Sequence, residues 1–541
     1  MFVRGVSCSL GGMPAWLVAL GLLPLTLSVV IETSFGNIIG HDAATPDGHA
    51  CEEFLGIPFA EPPLRFQAPK SWNTPYRRDG LIASEYGPWC PQMWGSKASG
   101  SEDCLFLNFW RPKGSLKGDN LTLMVWIHGG SYLFGDDGDK ATPNTYNGCG
   151  LAARHNVAIA GMNYRLGPLG FAAFATRKGV ATNFGIEDQR EALRWLHREA
   201  YGFGVDEAKI TIFGESAGAM SVFHHVASAG SAGLFRAAII ESGPPSAVSR
   251  EYGLENMIKF GRRVGCNNAS DIRTCLLRKS PEELVTAGSA GSMFKNGSSW
   301  GPVVDGHDLP DFPRSLFLQN RTRAVPLLAG GNTDEANVFI WPAFPNGMNR
   351  SEYVEFLTRI FTSFDPKTAL GPMQLDRVFQ RYPPAEPTAD HRALASRVFT
   401  DFGILCGTIS ALNSLAGRAR VFHYRFAHRS TCPEPGPIPG TYHAMELPYV
   451  FGTPETYECS FTAAEAALSA RMQELWTSFA KELTPTLQTE SFPVFGHGGS
   501  QQGMVLHALQ DEIEDGYRTD YCRFWTDIWR SQAGAAELVL V

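Results

Sequence analysis

Basic residues are in short supply in this chain of 541 residues: Lys and Arg total 46 against 54 for Asp and Glu, giving a formal net charge of −8 with only 18% charged residues. No basic stripe and no interleaving of aromatic with basic residues is present, which excludes the electrostatic footprint of a nucleic-acid binder. The mild acidic excess reads first as simple solubility, and only secondarily as attraction for cationic ligands. No Pro/Ser-rich linker, low-complexity block or repeat period divides the chain. The usual prior of ~150 residues per domain would suggest several domains, but the missing boundaries favour one large α/β domain with long insertions. None of the 11 cysteines sits in the close-spaced Cys/His pattern of a zinc site, so no metal and no cofactor are expected. The C-terminal AGAAELVLV (533–541) is too short for a lipid-anchor signal and carries no retention tetrapeptide.

The features that are present begin at the N-terminus. Arg4 supplies a positive start, and AWLVALGLLPLTLSVV (15–30) is an apolar stretch interrupted by Pro24. That length suits a signal-peptide core better than a membrane span. The expected organisation is a signal over 1–28, cleaved near Ser28, and a single domain over 29–541; an uncleaved anchor is the alternative. Cys8 lies in the signal and leaves an even number of cysteines behind it, as disulfide pairing needs. Five N-x-S/T sequons, at Asn120, Asn268, Asn296, Asn320 and Asn349, mark loops able to carry glycans. Together these features predict a secreted or endomembrane-lumen protein.

Short apolar runs read as buried strands: LTLMVWI (121–127), VAIAGMNYR (157–165), KITIFG (209–214), AAIIES (237–242), VPLLAGG (325–331) and VFHYRF (421–426). Between them lie stretches of helical spacing. EDQREALRWLHREA (187–200) places Leu193, Trp195, Leu196 and Ala200 near one face and charges on the other. Buried strands alternating with amphipathic helices predict a large, mostly parallel sheet covered on both sides. Ligands of such sheets bind beyond the carboxyl ends of the strands.

One strand ends in a motif with chemical content. KITIFGESAG (209–218) closes on Gly214-Glu215-Ser216-Ala217-Gly218, a Gly-x-Ser-x-Gly elbow between strand and helix. The sharp turn demands near-absent side chains two residues either side of Ser216, and the helix N-terminus favours developing negative charge. Upstream, VWIHGGSYLFG (125–135) places His128-Gly129-Gly130-Ser131 directly after a strand. An oxyanion loop needs such a run, with backbone N–H groups aimed at the substrate and no side chains in the way. The N–H of Ala217 is the further donor. An acid and a base are expected in the order Ser, Asp/Glu, His. Asn332-Thr333-Asp334-Glu335 and Gly440–Glu446 each follow a predicted strand. His443 is the candidate base and Glu335 the residue that orients it. From spacing alone Asp334, Glu446, His423 and His428 remain rivals.

The blocks FLGIPFAEPP (54–63), SEDCLFLNFW (101–110), VWIHGG (125–130), NYRLGPLGF (163–171), NFGIEDQREALRW (183–195), LFRAAIIESG (234–243), GGNTDEANVF (330–339) and HAMELPYVFG (443–452) stand in this order along with the elbow. On them the chain resembles the type-B carboxylesterase/cholinesterase family of α/β-hydrolases, from about residue 31 to about 530. The resemblance implies the α/β-hydrolase fold. It puts the catalytic serine on Ser216, the acid on Glu335 in preference to Asp334, and the base on His443. Its oxyanion donors fall on Gly130, Ser131 and Ala217; residue 131 is usually glycine in the active esterases, and Val205 stands where FGG is usual. It implies disulfides Cys90–Cys104, Cys266–Cys275 and Cys406–Cys522, and structural buried ion pairs Arg65–Glu102 and Arg165–Asp188. Cys432–Cys459 is the guess for a further pair, with Cys51 and Cys149 left over, although four cysteines allow three pairings. Trp94 has the spacing of the choline-binding tryptophan, a cation–π contact worth roughly 0.5–2 kcal/mol, and Glu215 adds negative charge beside the nucleophile. Against choline, the segment between Cys90 and Trp94 is short and Val338 replaces an aromatic. NGSSWGP (296–302), with Ser298 and Trp300, lacks the phenylalanines that narrow an acyl pocket. Trp94, Glu215, Ser298, Trp300, Val338 and Phe339 are therefore the candidate substrate contacts.

The leading expectation is a secreted serine esterase acting on small-molecule carboxylic esters through an acyl-enzyme. A choline ester hydrolase, or a lipase with a lid near 86–104, is the alternative within enzymes. A non-catalytic neuroligin-like adhesion or scaffold protein is the alternative outside them. Serine after the paired glycines favours that last reading; the intact elbow serine and the lack of a transmembrane stalk after residue 530 oppose it. Membrane contact is expected only with an uncleaved signal or a lipase-like surface, and a homodimer is the one self-association considered.

Overall fold

The computed structural model describes residues 28–537, except 139–143, 178, 268–271, 290–299, 363–364, 432–437 and 489. The expected signal segment thus falls outside the described residues up to residue 27.

A 13-stranded sheet organises the chain. Its strands are β1 (Ser28–Thr33), β2 (Gly36–Ala44), β3 (Ala50–Pro58), β4 (Leu81–Ile82), β5 (Phe106–Pro112), β6 (Leu121–Ile127), β7 (Ala158–Met162), β8 (Val205–Glu215), β9 (Ala237–Glu241), β10 (Leu327–Asn332), β11 (Val421–Phe426), β12 (Gln502–Leu506) and β13 (Glu512–Asp515). Their spatial order is β1-β2-β3-β5-β7-β6-β8-β9-β10-β11-β12-β13, with β4 beside β2. Every pairing from β7 to β12 is parallel. The first strands, β1, β2, β3 and β5, join it antiparallel, as does β13 at the far edge.

All residues of β6, β7, β9 and β10 are buried. These strands therefore carry continuous apolar runs with no polar alternation, as a sheet covered on both faces requires. Successive side chains feed two separate cores. Val125, Ile127, Ile212 and Ile240 point into one; Trp126, Phe213, Ile239 and Leu328 point into the other. The six apolar runs read from the sequence correspond to β6 through β11, and the antiparallel N-terminal half was not anticipated. In that half, burial alternates in β1 and β2, which face solvent on one side.

The expected helix at 187–200 is α1 (Phe184–Glu199). Leu193, Trp195, Leu196 and Ala200 are buried as expected, and Arg194 and Arg198 are exposed, but much of the charged surface is not solvated: Asp188, Gln189, Arg190 and Glu191 are buried too. A second layer covers these residues, and the charges are paired within it. Asp188 takes a bidentate contact from Arg165, 2.7 Å to Nε and 2.6 Å to Nη2. Arg190 lies between Glu187 and Asp308. Arg65–Glu102 also forms, at 2.5 Å, although it is partly exposed. Val205 opens β8 opposite Leu121, followed by a register shift before Ile210.

Four disulfides join described residues. Three are Cys90–Cys104, Cys266–Cys275 and Cys406–Cys522. The fourth is Cys51–Cys149, which ties β3 to the helix Cys149–His155, so the two cysteines left over on the sequence are partners of each other. Cys459 is disulfide-bonded, and the Cys432 half of the guessed pair lies outside the described residues. Such bonding fits an oxidising, secretory compartment.

Candidate active site

β8 delivers Ser216 beyond the carboxyl edge of the sheet, and α2 (Ala217–Ala227) leads away from it. Ser216 has φ 57° and ψ −120°, a sparsely populated conformation for a residue with a side chain, costing about 1–3 kcal/mol. Two backbone bonds hold it there: its N–H donates to the Glu241 carbonyl at 2.9 Å, and its own carbonyl accepts from Met220 N at 3.0 Å. The elbow packs on the end of β6. A Cβ on Gly214 would lie 2.6 Å from the Ile127 carbonyl, and one on Gly218 would overlap it outright. The glycines flanking Ser216 are thus a packing requirement as much as a conformational one.

The loop after β6 faces the elbow. A Cβ on Gly129 would come 2.8 Å from Glu215 Oε2 and 3.1 Å from Ser216 Cβ, so only glycine permits this approach. His128 Nδ1 bonds the Gly129 carbonyl at 2.9 Å. Burial holds its imidazole low, at about 4, so the ring is neutral and donates from Nδ1. The trans peptide then turns the Gly130 N–H the opposite way. Likewise, the Gly130 carbonyl accepts from Leu133 N and Phe134 N at 2.9 and 3.1 Å, which turns the Ser131 N–H away from that turn. Neither N–H, nor that of Ala217 at the start of α2, has a partner among the described residues. Gly130 has φ 95°, and Ser131 and Tyr132 follow in the left-handed region at 56° and 57°. The Ser131 side chain is exposed. Gln92 clamps the far end of the loop: its Nε2 donates to Gly135 O and its Oε1 accepts from Gly135 N, both at 2.8 Å.

His443 stands between two carboxylates. Nδ1 is 2.7 Å from Glu335 Oε2, and Nε2 is 3.0 Å from Glu215 Oε1. The second contact is a charge contact out of hydrogen-bond alignment, since Glu215 Oε1 has no hydrogen-bond partner. No hydrogen bond joins His443 to Ser216 among the described residues, and the Nε2 axis is not committed to Glu215. Burial alone would lower the imidazole pKa, but the negative charges of Glu215 and Glu335 and the hydrogen bond to Glu335 outweigh it and raise it well above the ordinary value. Glu335 is itself fixed by Asn332 N, which donates to Oε1 at 2.7 Å. The rivals are engaged elsewhere. Asp334 accepts from Thr441 N, His428 bonds Glu465, and His423 is buried and held neutral, its pKa at about 4.

Behind this group lie two further buried carboxyls. Glu446 accepts from Asn332 Nδ2 at 2.5 Å and Ser242 Oγ at 3.3 Å. Burial, with Glu215 and Glu335 nearby, pushes it up to about 8, so it is largely protonated at neutral pH. Glu241 accepts only from Trp476 Nε1, at 3.0 Å, and its Oε2 has no partner. Burial raises it well above the ordinary carboxyl value. Glu215 and Glu335 are the two carboxyl groups in contact with His443.

The remaining candidates are dispersed. Phe339, on the helix Asn337–Ala343, stacks obliquely on His443 at 5.2 Å between centroids, and half-buried Val338 precedes it. Trp300 is 5% exposed and bonds Gly288 O; it is a packed residue, not an open wall. Trp94 sits on the hairpin Gln92–Trp94/Lys97–Ser99, edge-on to Trp89 at 5.5 Å and 52% exposed. Ser298, Asn268 and Asn296 lie outside the described residues. Asn120, Asn320 and Asn349 are exposed, as glycan acceptors must be. Sequence reasoning missed Gln92, Asn332, Glu241 and Trp476. Asn332 adjoins the acid loop and Gln92 adjoins Cys90, so proximity offered a faint signal for both; nothing local marks Trp476, which reaches in from the helix Ala463–Glu482.

This chain is similar to known proteins over nearly its whole length. The sequence model of a family described as the carboxylesterase family matches residues 27–525. An acetylcholinesterase of Bungarus fasciatus is 30% identical over 566 aligned positions, covering 96% of this chain and 91% of that protein. An acetylcholinesterase of Electrophorus electricus is 30% identical, covering 92% and 88%. A cholinesterase of Mus musculus is 32% identical, covering 92% and 86%.

Proposed function

This chain belongs to the carboxylesterase family and is a carboxylic ester hydrolase, and from that premise we propose that it works as a secreted serine esterase with Ser216, Glu335 and His443 as its catalytic residues. The observation that carries the reading is the Glu335–His443 bond of 2.7 Å beside a serine held at φ 57° on a strand-to-helix elbow.

Ser216 Oγ attacks the ester carbonyl carbon while His443 Nε2 takes its proton. The carbonyl oxygen becomes an oxyanion facing the unpartnered N–H groups of Gly130, Ser131 and Ala217. On collapse the C–O bond to the alcohol breaks, and the imidazolium returns its proton to that oxygen. Water then repeats the sequence on the acyl-enzyme, releasing the acid and free Ser216. Glu335 holds Nδ1 protonated so that Nε2 is the basic nitrogen. Glu215 favours the imidazolium, which stabilises the charge that develops but requires the resting ring to lose a proton first. Gly129 supports the reading by letting the loop approach Ser216, and its carbonyl, bonded to His128, turns the next N–H inward.

Small-molecule esters with an uncharged alcohol are the favoured substrates. Val338 supplies no aromatic face beside His443, and Trp94 lies on a hairpin packed against Trp89. Relatives named acetylcholinesterase make a choline ester the necessary comparison. The test is labelling of the secreted protein with a fluorophosphonate probe, then turnover of an ester panel varying acyl length and alcohol charge. The expectation is probe attachment at Ser216, turnover of neutral esters, and loss of both in Ser216→Ala. Full turnover by Ser216→Ala would sink the assignment, and a wild-type protein that neither labels nor turns over would favour a non-catalytic scaffold.

A further inference from the structure

The oxyanion loop carries an unusual conformational load. Ser131 and Tyr132 are consecutive residues with side chains in the left-handed region, where glycine is the ordinary choice. The Gly130 carbonyl closes a turn on Leu133 N whose two central residues are both left-handed, and the Tyr132 carbonyl accepts from Gly167 N at 2.6 Å. The Tyr132 side chain adds a further restraint. Its ring is 2% exposed and packs obliquely on Phe171 at 4.7 Å. Its hydroxyl accepts from Ser221 Oγ at 3.2 Å, and Ser221 lies on the first turns of α2, the helix that begins with the Ala217 donor. One hydrogen bond thus spans the two separate backbone segments that present the oxyanion donors.

That bond ends a polar chain whose donors all run one way. Arg190 Nε donates to Ser231 Oγ at 3.1 Å, and Ser231 Oγ lies 2.8 Å from His225 Nδ1. His225 Nε2 lies 3.0 Å from Gln189 Oε1, and Gln189 Nε2 donates to Ser221 Oγ at 3.1 Å. Burial, with the Arg190 charge beside it, holds His225 well below the ordinary imidazole value. The ring is therefore neutral, accepting at Nδ1 and donating at Nε2. Each link polarises the next, starting from a guanidinium.

We infer that Tyr132 and Ser221 are positioning residues that lock the oxyanion loop to the nucleophile helix and so hold the Ser131 and Ala217 N–H groups in register. The inference rests on the oxyanion reading given above. It goes beyond that reading in naming the tie between the donor segments and its anchorage at Arg190.

Tyr132→Phe keeps the packed ring and removes only the hydroxyl. The expected result is a fall in kcat of about tenfold with KM within about twofold, since a slight misplacement of donors acts on the transition state. Affinity for a trifluoromethyl ketone, which forms the tetrahedral oxyanion on Ser216, falls by the same factor as kcat/KM. Ser131→Gly in the Tyr132→Phe background restores at least half of the loss, because glycine adopts the left-handed conformation without a tether. A hydroxyl with a purely structural role would lower thermal stability while leaving kcat and ketone affinity of the folded enzyme unchanged, and that result overturns the inference. So does a Ser131→Gly change that gives no recovery. Failure of the underlying reading is separable: the wild type itself would then show no Ser216-dependent turnover.

Discussion

Glu335→Gln is the most discriminating single change at the site. Glu335 accepts two N–H groups at once, His443 Nδ1 at Oε2 and Asn332 N at Oε1, both at 2.7 Å. A glutamine has the same shape but offers one acceptor and one NH2 group. If the NH2 faces Asn332, two donors oppose each other in a buried pocket, where an unmade hydrogen bond costs about 1–3 kcal/mol. If it faces His443, Nδ1 must become the acceptor, the proton moves to Nε2, and the base is lost. Either arrangement also removes the negative charge that stabilises the imidazolium. The expected loss in kcat is about a thousand- to ten-thousandfold, or about 4–5.5 kcal/mol of transition-state stabilisation. KM should change little, because the substrate does not touch Glu335. The assay is nitrophenyl ester turnover normalised to active sites, with circular dichroism to confirm the fold. Glu446→Gln serves as the control: its carboxyl, pushed up to about 8, is already largely neutral at pH 7, so this change should cost less than tenfold. Retention of more than a tenth of wild-type kcat by Glu335→Gln would refute the orienting role. Equal losses in the two variants would refute the division of charge between them.

The raised His443 pKa places the acid limb of kcat/KM above the ordinary imidazole value, because the base works only when neutral; Glu215→Gln removes one of the two raising charges and moves that limb to lower pH, and a limb that stays put refutes the Glu215 contact as a determinant. Glu446 has a folded pKa of about 8, raised from an ordinary 4.5. Between these values the folded state binds the extra proton, so this contribution to stability is fully present below about 4.5 and is lost as pH rises to about 8. Urea midpoints across that window should decline less steeply in Glu446→Gln. Opening the Cys51–Cys149 bond, across a sequence separation of 98, should cost about 4.7 kcal/mol by the loop-entropy estimate; a Cys51→Ser/Cys149→Ser variant with an unchanged urea midpoint refutes it.

Much of this architecture was legible in the linear sequence because local chemistry dictates it. The central strands announce themselves as apolar runs, since burial on both faces leaves no room for polar residues. The elbow is recognisable because the packing of Gly214 and Gly218 on the Ile127 carbonyl admits nothing larger. Other features were illegible for equally physical reasons. Among the antiparallel N-terminal strands, β1 and β2 lack a continuous apolar run because one side meets solvent, and the buried β3 and β5 have theirs interrupted by Glu52, Glu53 and Arg111, which find partners across the two strands. The charged residues of α1 looked solvated, yet Asp188 and Arg190 are buried, Arg190 against Asp308, which lies more than a hundred residues away. Cys51 and Cys149 looked unassigned because pairing depends on where β3 and the following helix meet, not on spacing.

Local chemistry along the chain sets the layered sheet, the elbow at Ser216 and the glycine-bearing loop after β6. Each of these is enforced by neighbours along the chain or by a strict steric demand. Only the folded arrangement places His443 between Glu335 and Glu215, raises the Glu241 and Glu446 carboxyls by burial, and ties Tyr132 to Ser221. Those outcomes depend on distances between segments far apart in sequence and on how completely water is excluded between them, and neither quantity is encoded in any local pattern of residues.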